Sequence, residues 1–396
     1  MAEKYNICLD IGGTKVLGAV FDSKDNIVYR YKKKSAENGA SSQNVEEVII
    51  SVVDELLKAT GIKKSQLNAI SAGAPGVIDQ GNGIILFTPN LPFRNYDIRT
   101  PMEKRFGVPF YIGNDVNVGV LGEYKYGAAR GYKNVVGFFV GTGMGGGLIL
   151  NGSLFTGNQF KAAEYGHMVL EPDGPMCGCG QRGCLESFSS KKGISDYIRQ
   201  QAARGRQTEM AEHVQNGVFR SKYLKKAIEH NDRVTMEAIE RACYYLAIGT
   251  GNLINTLSPE VVIYGGGVVE ATGDMIRDRV AESVDRYCMP SIRATVELKT
   301  AELGDDSNIY GSLAMIHEAE AEKKPAKKGS ASAKKTTAAK TTARKASTAK
   351  AAAKKTSTAK AAAKKTSAAK TAAKKTSAAK AAAKKTSTAK ATAGKK

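Results

Sequence analysis

Asp10-Ile11-Gly12-Gly13-Thr14-Lys15 lies between two short apolar runs, residues 5–9 and 16–21, and its reading decides the fold. Both runs have the length and composition of strands. Two glycines between them let backbone N–H groups come close to a phosphate. Thr14 adds a hydroxyl, and Asp10 a carboxylate that can meet phosphate-bound Mg²⁺ through water. The same residues also suit a hairpin turn with no ligand. Two further loops weigh on that choice. Gly141-Thr142-Gly143-Met144-Gly145-Gly146-Gly147 follows a strand at 135–140, and Gly265-Gly266-Gly267 closes a strand at 261–264. Glycine-rich loops at the ends of three apolar strands point to a nucleoside triphosphate. No G-x-G-x-x-G opens a helix with an acidic residue about 20 positions on, so the dinucleotide fold is excluded. A G-x-x-x-x-G-K-[ST] loop is absent as well.

Outward from these loops the pattern repeats. A turn at 22–26 leads to a strand at 27–33. Apolar residues at 45, 48, 49, 52, 53, 56 and 57 predict a helix over 45–59. A strand at 69–74 ends in Gly73-Ala74-Pro75-Gly76, a helix follows at 100–106, and a strand at 110–112 runs into Gly113-Asn114-Asp115-Val116-Asn117. The second half offers strands at 135–140, 148–150 and 261–264, with 141–147 as a turn. Helices are expected at 233–255, 274–287 and 308–321. The two halves share strand–turn–strand units, an internal duplication in pattern.

Asp115 at a strand end can accept a proton from a hydroxyl nucleophile in phosphoryl transfer. Asn114 beside it can hydrogen-bond a polyol, or else it caps a helix. Gly76, Asn90, Glu164, His167 and Glu186 add donors and acceptors suited to sugar hydroxyls. His167, Cys177, Cys179 and Cys184 form H-x9-C-x-C-x4-C, interleaved with Gly178, Gly180 and Gly183. One imidazole and three thiolates are the ligand set of a closed tetrahedral zinc site. The alternative is three buried cysteines and a core histidine, which does not account for the glycines.

Charge divides the chain. Of 59 Lys and Arg, 24 lie from Lys323 onward, where there is no Asp or Glu. The remainder holds 35 basic residues against 38 acidic ones, so the net +21 belongs to the tail. From about residue 341 the tail repeats every ten residues, with Lys-Lys pairs and nothing apolar larger than alanine. It cannot build a core, so disorder is expected. Such an array suits sequence-independent nucleic-acid binding by counterion release and would associate the chain with the nucleoid; a solvated tail without a partner is the alternative. Cys8, Cys243 and Cys288 read as free thiols, consistent with a reducing, cytoplasmic setting. No signal peptide is visible. The uncharged stretch 134–160 contains eight glycines and reads as buried strands, so no membrane association is expected.

The chain resembles the ROK family of bacterial sugar kinases, above all its glucokinase branch. The resemblance rests on residues 10–15, 73–76, 89–91, 114–117, 141–147, 164–167, 177–186 and 265–267, in family order over about residues 5–320. It implies an α/β, two-lobed actin-like ATPase (ribonuclease H-like) fold with duplicated βαβ-type lobes. The small lobe would span 1–118, with the helix at 305–321 packing back on it. The large lobe would span 119–304, with a zinc loop at 167–186, before a tail at 322–396. It implies Asp115 as catalytic base and Gly76, Asn90, Asn114, Glu164, His167 and Glu186 around the sugar. The phosphates of ATP, with Mg²⁺, would lie on Asp10, Gly12, Gly13, Thr14, Lys15, Gly141, Thr142, Gly143, Gly145, Gly146 and Gly265–Gly267. Structural Zn²⁺ would sit on His167, Cys177, Cys179 and Cys184. Relatives are usually dimers or tetramers, so a homodimer or homotetramer is expected. The implied reaction is phosphorylation of a hexose at O6, glucose first. N-acetylmannosamine, N-acetylglucosamine and fructose kinases share the motifs. So do sugar-sensing repressors, which carry a helix-turn-helix before the first glycine loop; the nine residues ahead of Asp10 leave no room for one. Val116 departs from the small residue usual there, and the tail is no part of the family.

Overall fold

The computed structural model describes residues 3–35 and 40–323, so the expectations placed on the basic tail lie outside the described residues. The first half runs β1 (Tyr5–Ile11), β2 (Lys15–Phe21), β3 (Ile27–Lys34) and β4 (Leu67–Ala74). Three short strands follow, β5 (Val77–Asp79), β6 (Ile84–Phe87) and β7 (Arg94–Asp97), and then β8 (Phe110–Asn114). A five-stranded sheet has the order β3-β2-β1-β4-β8, with β1 antiparallel to β2 and parallel to β4. Strand β1 is central and Ile7, Cys8, Leu9 and Ile11 are wholly buried, as expected of a strand covered on both faces. Lys32, Lys33 and Lys34 mark β3 as the sheet edge, where charge discourages pairing with another chain.

The second half repeats this plan. β9 (Val135–Val140), β10 (Met144–Leu150), β11 (Ser153–Leu154), β12 (Val261–Gly265) and β13 (Glu297–Thr300) form a sheet in the order β11-β10-β9-β12-β13. Again the first strand is antiparallel to the second and parallel to the fourth. The duplication expected from pattern is therefore present in topology, and the fold is the actin-like ATPase fold.

Local signals explain the main helices. Ser41 and Asn44 cap each other at the start of the Ser42–Thr60 helix, and Gly61, at φ 70°, ends it. Asp232 accepts a hydrogen bond from Thr235 N at the start of the Arg233–Leu257 helix, whose inner face fills the core beside the second sheet. The last helix, Ser307–Lys323, buries Ile309, Leu313 and Ile316 with Cys8, Ala19 and Phe21 of the first sheet. It crosses the Asp115–Tyr126 helix at glycines. A Cβ on Gly122 would strike the Ser307 carbonyl, and one on Gly311 the Val118 carbonyl. Buried Glu123 fastens this crossing by accepting from Ala128 N, Glu302 N, Leu303 N and Ser307 Oγ.

Several features differ from the sequence reading. The sequence reading did not include the helices Lys191–Ala203 and Ser221–Glu229 or the strand Glu297–Thr300. Residues 144–147 are not turn but the first half of β10. Their glycines are needed for close packing: side chains there would collide with Val116, Tyr165 and Val120. The antiparallel sheet β5-β6-β7 was not read at all, because strands of three or four residues carry too little periodicity. Among the described residues, no helix is long and apolar enough to cross a membrane.

Candidate functional site

A cavity of about 860 Å³ is lined by residues of both sheets. Its floor is the junction of β8 with the Asp115–Tyr126 helix. Asn114 is the N-cap: its Oδ1 accepts from Asn117 N at 3.0 Å, and its Nδ2 donates to Gly76 O at 3.0 Å and Asp115 Oδ1 at 3.1 Å. The cap role and the site position thus coincide in one residue. Asp115 occupies the first helical turn, where the helix dipole favours negative charge. Its carboxyl opens to the cavity on one side and is enclosed by protein on the others. Desolvation pushes its pKa up, opposed by the hydrogen bond from Val116 N at 2.9 Å and that from Asn114. Gly76 adopts φ 98° and packs against the Phe87 carbonyl with no space for a side chain, so the chain passes directly beside the floor.

One wall carries Gly141, Thr142 and Gly143, the turn between β9 and β10, closed by Gly141 N donating to Gly143 O at 2.9 Å. Gly145 and Gly266 also line it, whereas Gly146 faces an adjoining 60 Å³ pocket. The wall beside that turn carries Glu164, His167 and Glu186, with Glu186 Oε2 next to Gly143. Glu186 Oε2 accepts from Met144 N at 2.8 Å, which ties this wall to the start of β10.

Asp10 is the penultimate residue of β1 and does not line the cavity; neither do Gly12, Gly13, Thr14, Lys15, Asn90, Gly265 or Gly267. The 12–15 loop is a hairpin turn, with Gly12 N donating to Lys15 O at 2.9 Å, and is steadied by Ser35 Oγ donating to Gly12 O at 2.6 Å. Asn90 borders it, with its Cβ 3.2 Å from where a Cβ on Gly13 would sit. Asp10 is linked to the cavity by Asn308, which lines it and whose Nδ2 donates to Asp10 Oδ1 at 3.1 Å. Burial, then the nearby Asp115, raise the Asp10 carboxyl to about 6. A divalent cation would relieve both effects.

His167, Cys177, Cys179 and Cys184 present their ligand atoms within 4.8 Å of one another. Cys179 Sγ and Cys184 Sγ are 3.7 Å apart, and Cys177 Sγ lies 3.6 Å from His167 Nδ1. Tetrahedral zinc with bonds of about 2.3 Å to sulfur and 2.0–2.1 Å to nitrogen requires edges of roughly 3.8 and 3.5 Å. The donor set therefore fits zinc in chemistry and spacing, with His167 Nε2 left over. Gly180 and Gly183 adopt φ of 91° and 69° to fold the loop, while Gly178 does not need to be glycine for its backbone angle.

The sequence reading missed Asn308, which lies outside any recognisable motif at the start of the last helix, where no spacing rule singles it out.

Duplicated sheets with a cleft between them and the Asp115 carboxylate at its floor define the actin-like ATPase fold. The chain belongs to the ROK family, whose model matches residues 6–319. It is 33% identical over 316 residues to the glucokinase of Thermotoga maritima, covering 79% of this chain and 97% of that one. A ROK family glucokinase from Streptomyces griseus, solved with glucose and AMPPNP, superposes with a TM-score of 0.68 at 28% identity, covering 79% of this chain and 99% of that one. The chain is also 28% identical to the xylose repressor of Bacillus spizizenii over 316 residues, which is 79% of this chain and 77% of the repressor.

Proposed function

We propose that the protein is an ATP-dependent sugar kinase that phosphorylates a hexose at O6, with glucose as the first candidate. The observation that carries this reading is the placement of Asp115: a carboxylate at a helix start, facing a cavity whose walls are a glycine turn and a Glu-His-Glu cluster. The likeness to glucokinases supports it.

The sugar would lie against Glu164, His167 and Glu186, with its hydroxymethyl group at Asp115. The nucleotide would lie on the 141–143 turn and the 265–267 loop, its terminal phosphates reaching the 12–15 loop. Asp115 takes the O6 proton as the oxygen attacks the γ-phosphorus in line. General-base help of this kind contributes roughly 10²–10⁴-fold. Mg²⁺ bound with ATP supplies charge neutralisation on the phosphates, and Asp10 is the carboxylate placed to meet it. The pieces 1–118 and 119–304 would close as lobes around both substrates and exclude water, which limits idle hydrolysis. His167, Cys177, Cys179 and Cys184 would hold zinc as a structural ion that supplies no chemistry, the four residues filling a tetrahedral site. The loop so held would turn His167 Nε2 and Glu186 toward the sugar. The basic tail would add sequence-independent nucleic-acid binding, and the setting would be the cytoplasm.

The repressors among the relatives suggest a second reading, a regulator that binds sugar without turning it over. One assay separates the two: ADP release with Mg-ATP across hexoses and N-acetylhexosamines. A selective signal with glucose is expected. Sugar binding without ADP release would favour the regulator.

A further inference from the structure

Lys191 opens the Lys191–Ala203 helix immediately after its cap, Ser190. Its backbone N donates to Gly141 O at 2.9 Å, and the next residue's N donates to Thr142 O at 3.3 Å. The residue is therefore clamped to the back of the 141–143 turn. Its side chain crosses to the end of β12. There Nζ lies 2.9 Å from the point where a Cβ on Gly267 would sit, with Ser221 Oγ 3.2 Å from the same point. Any side chain at 267 would displace the ammonium.

This ammonium is half-buried, yet it has no ion-pair partner within 4.0 Å among the described residues. Burial lowers its pKa, while the more distant Glu270 and Asp305 act in the opposite direction. Glu270 in turn is shared with Lys15 of the first glycine loop. A partly desolvated cation without a contact partner is costly unless an anion completes it. Lysine is a compact point charge that suits phosphate oxygens. The two loops it touches are those assigned above to the phosphates.

We propose that Lys191 is a ligand for the phosphate chain of the nucleotide, bridging the 141–143 turn and the 265–267 loop. The inference rests on the nucleotide reading of the cleft. Ser221 Oγ lies near the same point and would offer the phosphates a hydroxyl. The competing role is structural: Lys191 swings to Glu270 and only holds the Gly267–Thr272 helix in place.

The test is calorimetric titration of the full-length protein, wild type, Lys191→Met and Lys191→Arg, with Mg-ATP, Mg-ADP, adenosine and inorganic tripolyphosphate. Losing one charge-assisted contact to phosphate predicts on the order of tenfold weaker ATP, ADP and tripolyphosphate binding in Lys191→Met. Adenosine affinity and the KM for sugar stay unchanged, and Lys191→Arg recovers part of the loss. ATP and ADP affinities within twofold of wild type in Lys191→Met would overturn the assignment while leaving the kinase reading intact. Wild-type protein that binds tripolyphosphate but no nucleotide, with the Met variant losing that too, would uphold Lys191 as a phosphate ligand and overturn the nucleotide reading instead.

Discussion

Replacing Asp10 by Asn should make the ligand-free protein more stable and the enzyme inactive. The Asp10 carboxyl is raised from 3.8 to about 6, first by burial and then by Asp115. A group whose folded pKa is raised holds its proton more tightly in the folded state. Folding is therefore favoured while Asp10 is protonated, and that contribution is lost as pH rises from about 3.8 to about 6. The shift is about two pKa units, so the ionised carboxylate costs at most about 3 kcal/mol at pH 7.5. Asn keeps an acceptor for Asn308 Nδ2 and removes the charge. The Asn variant should melt roughly 3–6 °C higher at pH 7.5. At pH 4.5, where wild-type Asp10 is mostly protonated in the folded state, the gain should shrink to about 1 kcal/mol. Thermal melts of both proteins at the two pH values, without nucleotide or Mg²⁺, decide it. A variant less stable than wild type at pH 7.5, or a gain equal at both pH values, would refute the reasoning.

Other predictions follow from single contacts. Cys179→Ser should lose zinc and melt lower than wild type; stoichiometric zinc in the purified variant, by elemental analysis, would exclude the ligand set. Glu123→Gln turns one of two fully used oxygens into a donor facing other donors, so denaturant unfolding should report a loss of about 2–4 kcal/mol. An unchanged midpoint would mean that the helix crossing does not depend on this carboxylate. Duplex DNA should bind the full chain with an affinity that falls roughly 10³–10⁵-fold between 50 and 200 mM salt if six to ten phosphates are neutralised. Equal DNA binding by a chain ending at Lys323 would remove the tail from that role.

Much of the fold was legible where composition and period agreed. The apolar runs at 135–140 and 261–264 became β9 and β12, and the spacing over 45–59 became the Ser42–Thr60 helix. The glycines of 141–147 misled, because one residue type serves two physical ends. Gly141 and Gly143 make a turn, whereas Gly145, Gly146 and Gly147 make room for Val116, Tyr165 and Val120. Only the tertiary contact distinguishes them. The site was legible as motifs but not as a surface. Glu164, His167, Glu186 and Asp115 share one cavity, while Asp10 meets it only through Asn308, almost 300 residues away in sequence. Long-range partners of that kind leave no local periodicity to read.

On the proposed reading, Asp115 activates a sugar hydroxyl for attack on ATP. The most direct test of this is phosphoryl transfer from Mg-ATP to glucose by wild type and by Asp115→Asn, following the sugar phosphate by phosphorus NMR. Wild type should form a 6-phosphate, with the acid limb of the rate shifted to higher pH than an ordinary aspartate gives, because the Asp115 carboxyl is raised and must be ionised to act. The Asn variant should fold, bind sugar and lose at least about 10²-fold in turnover. Turnover near the wild-type rate in a folded Asn variant would contradict the account.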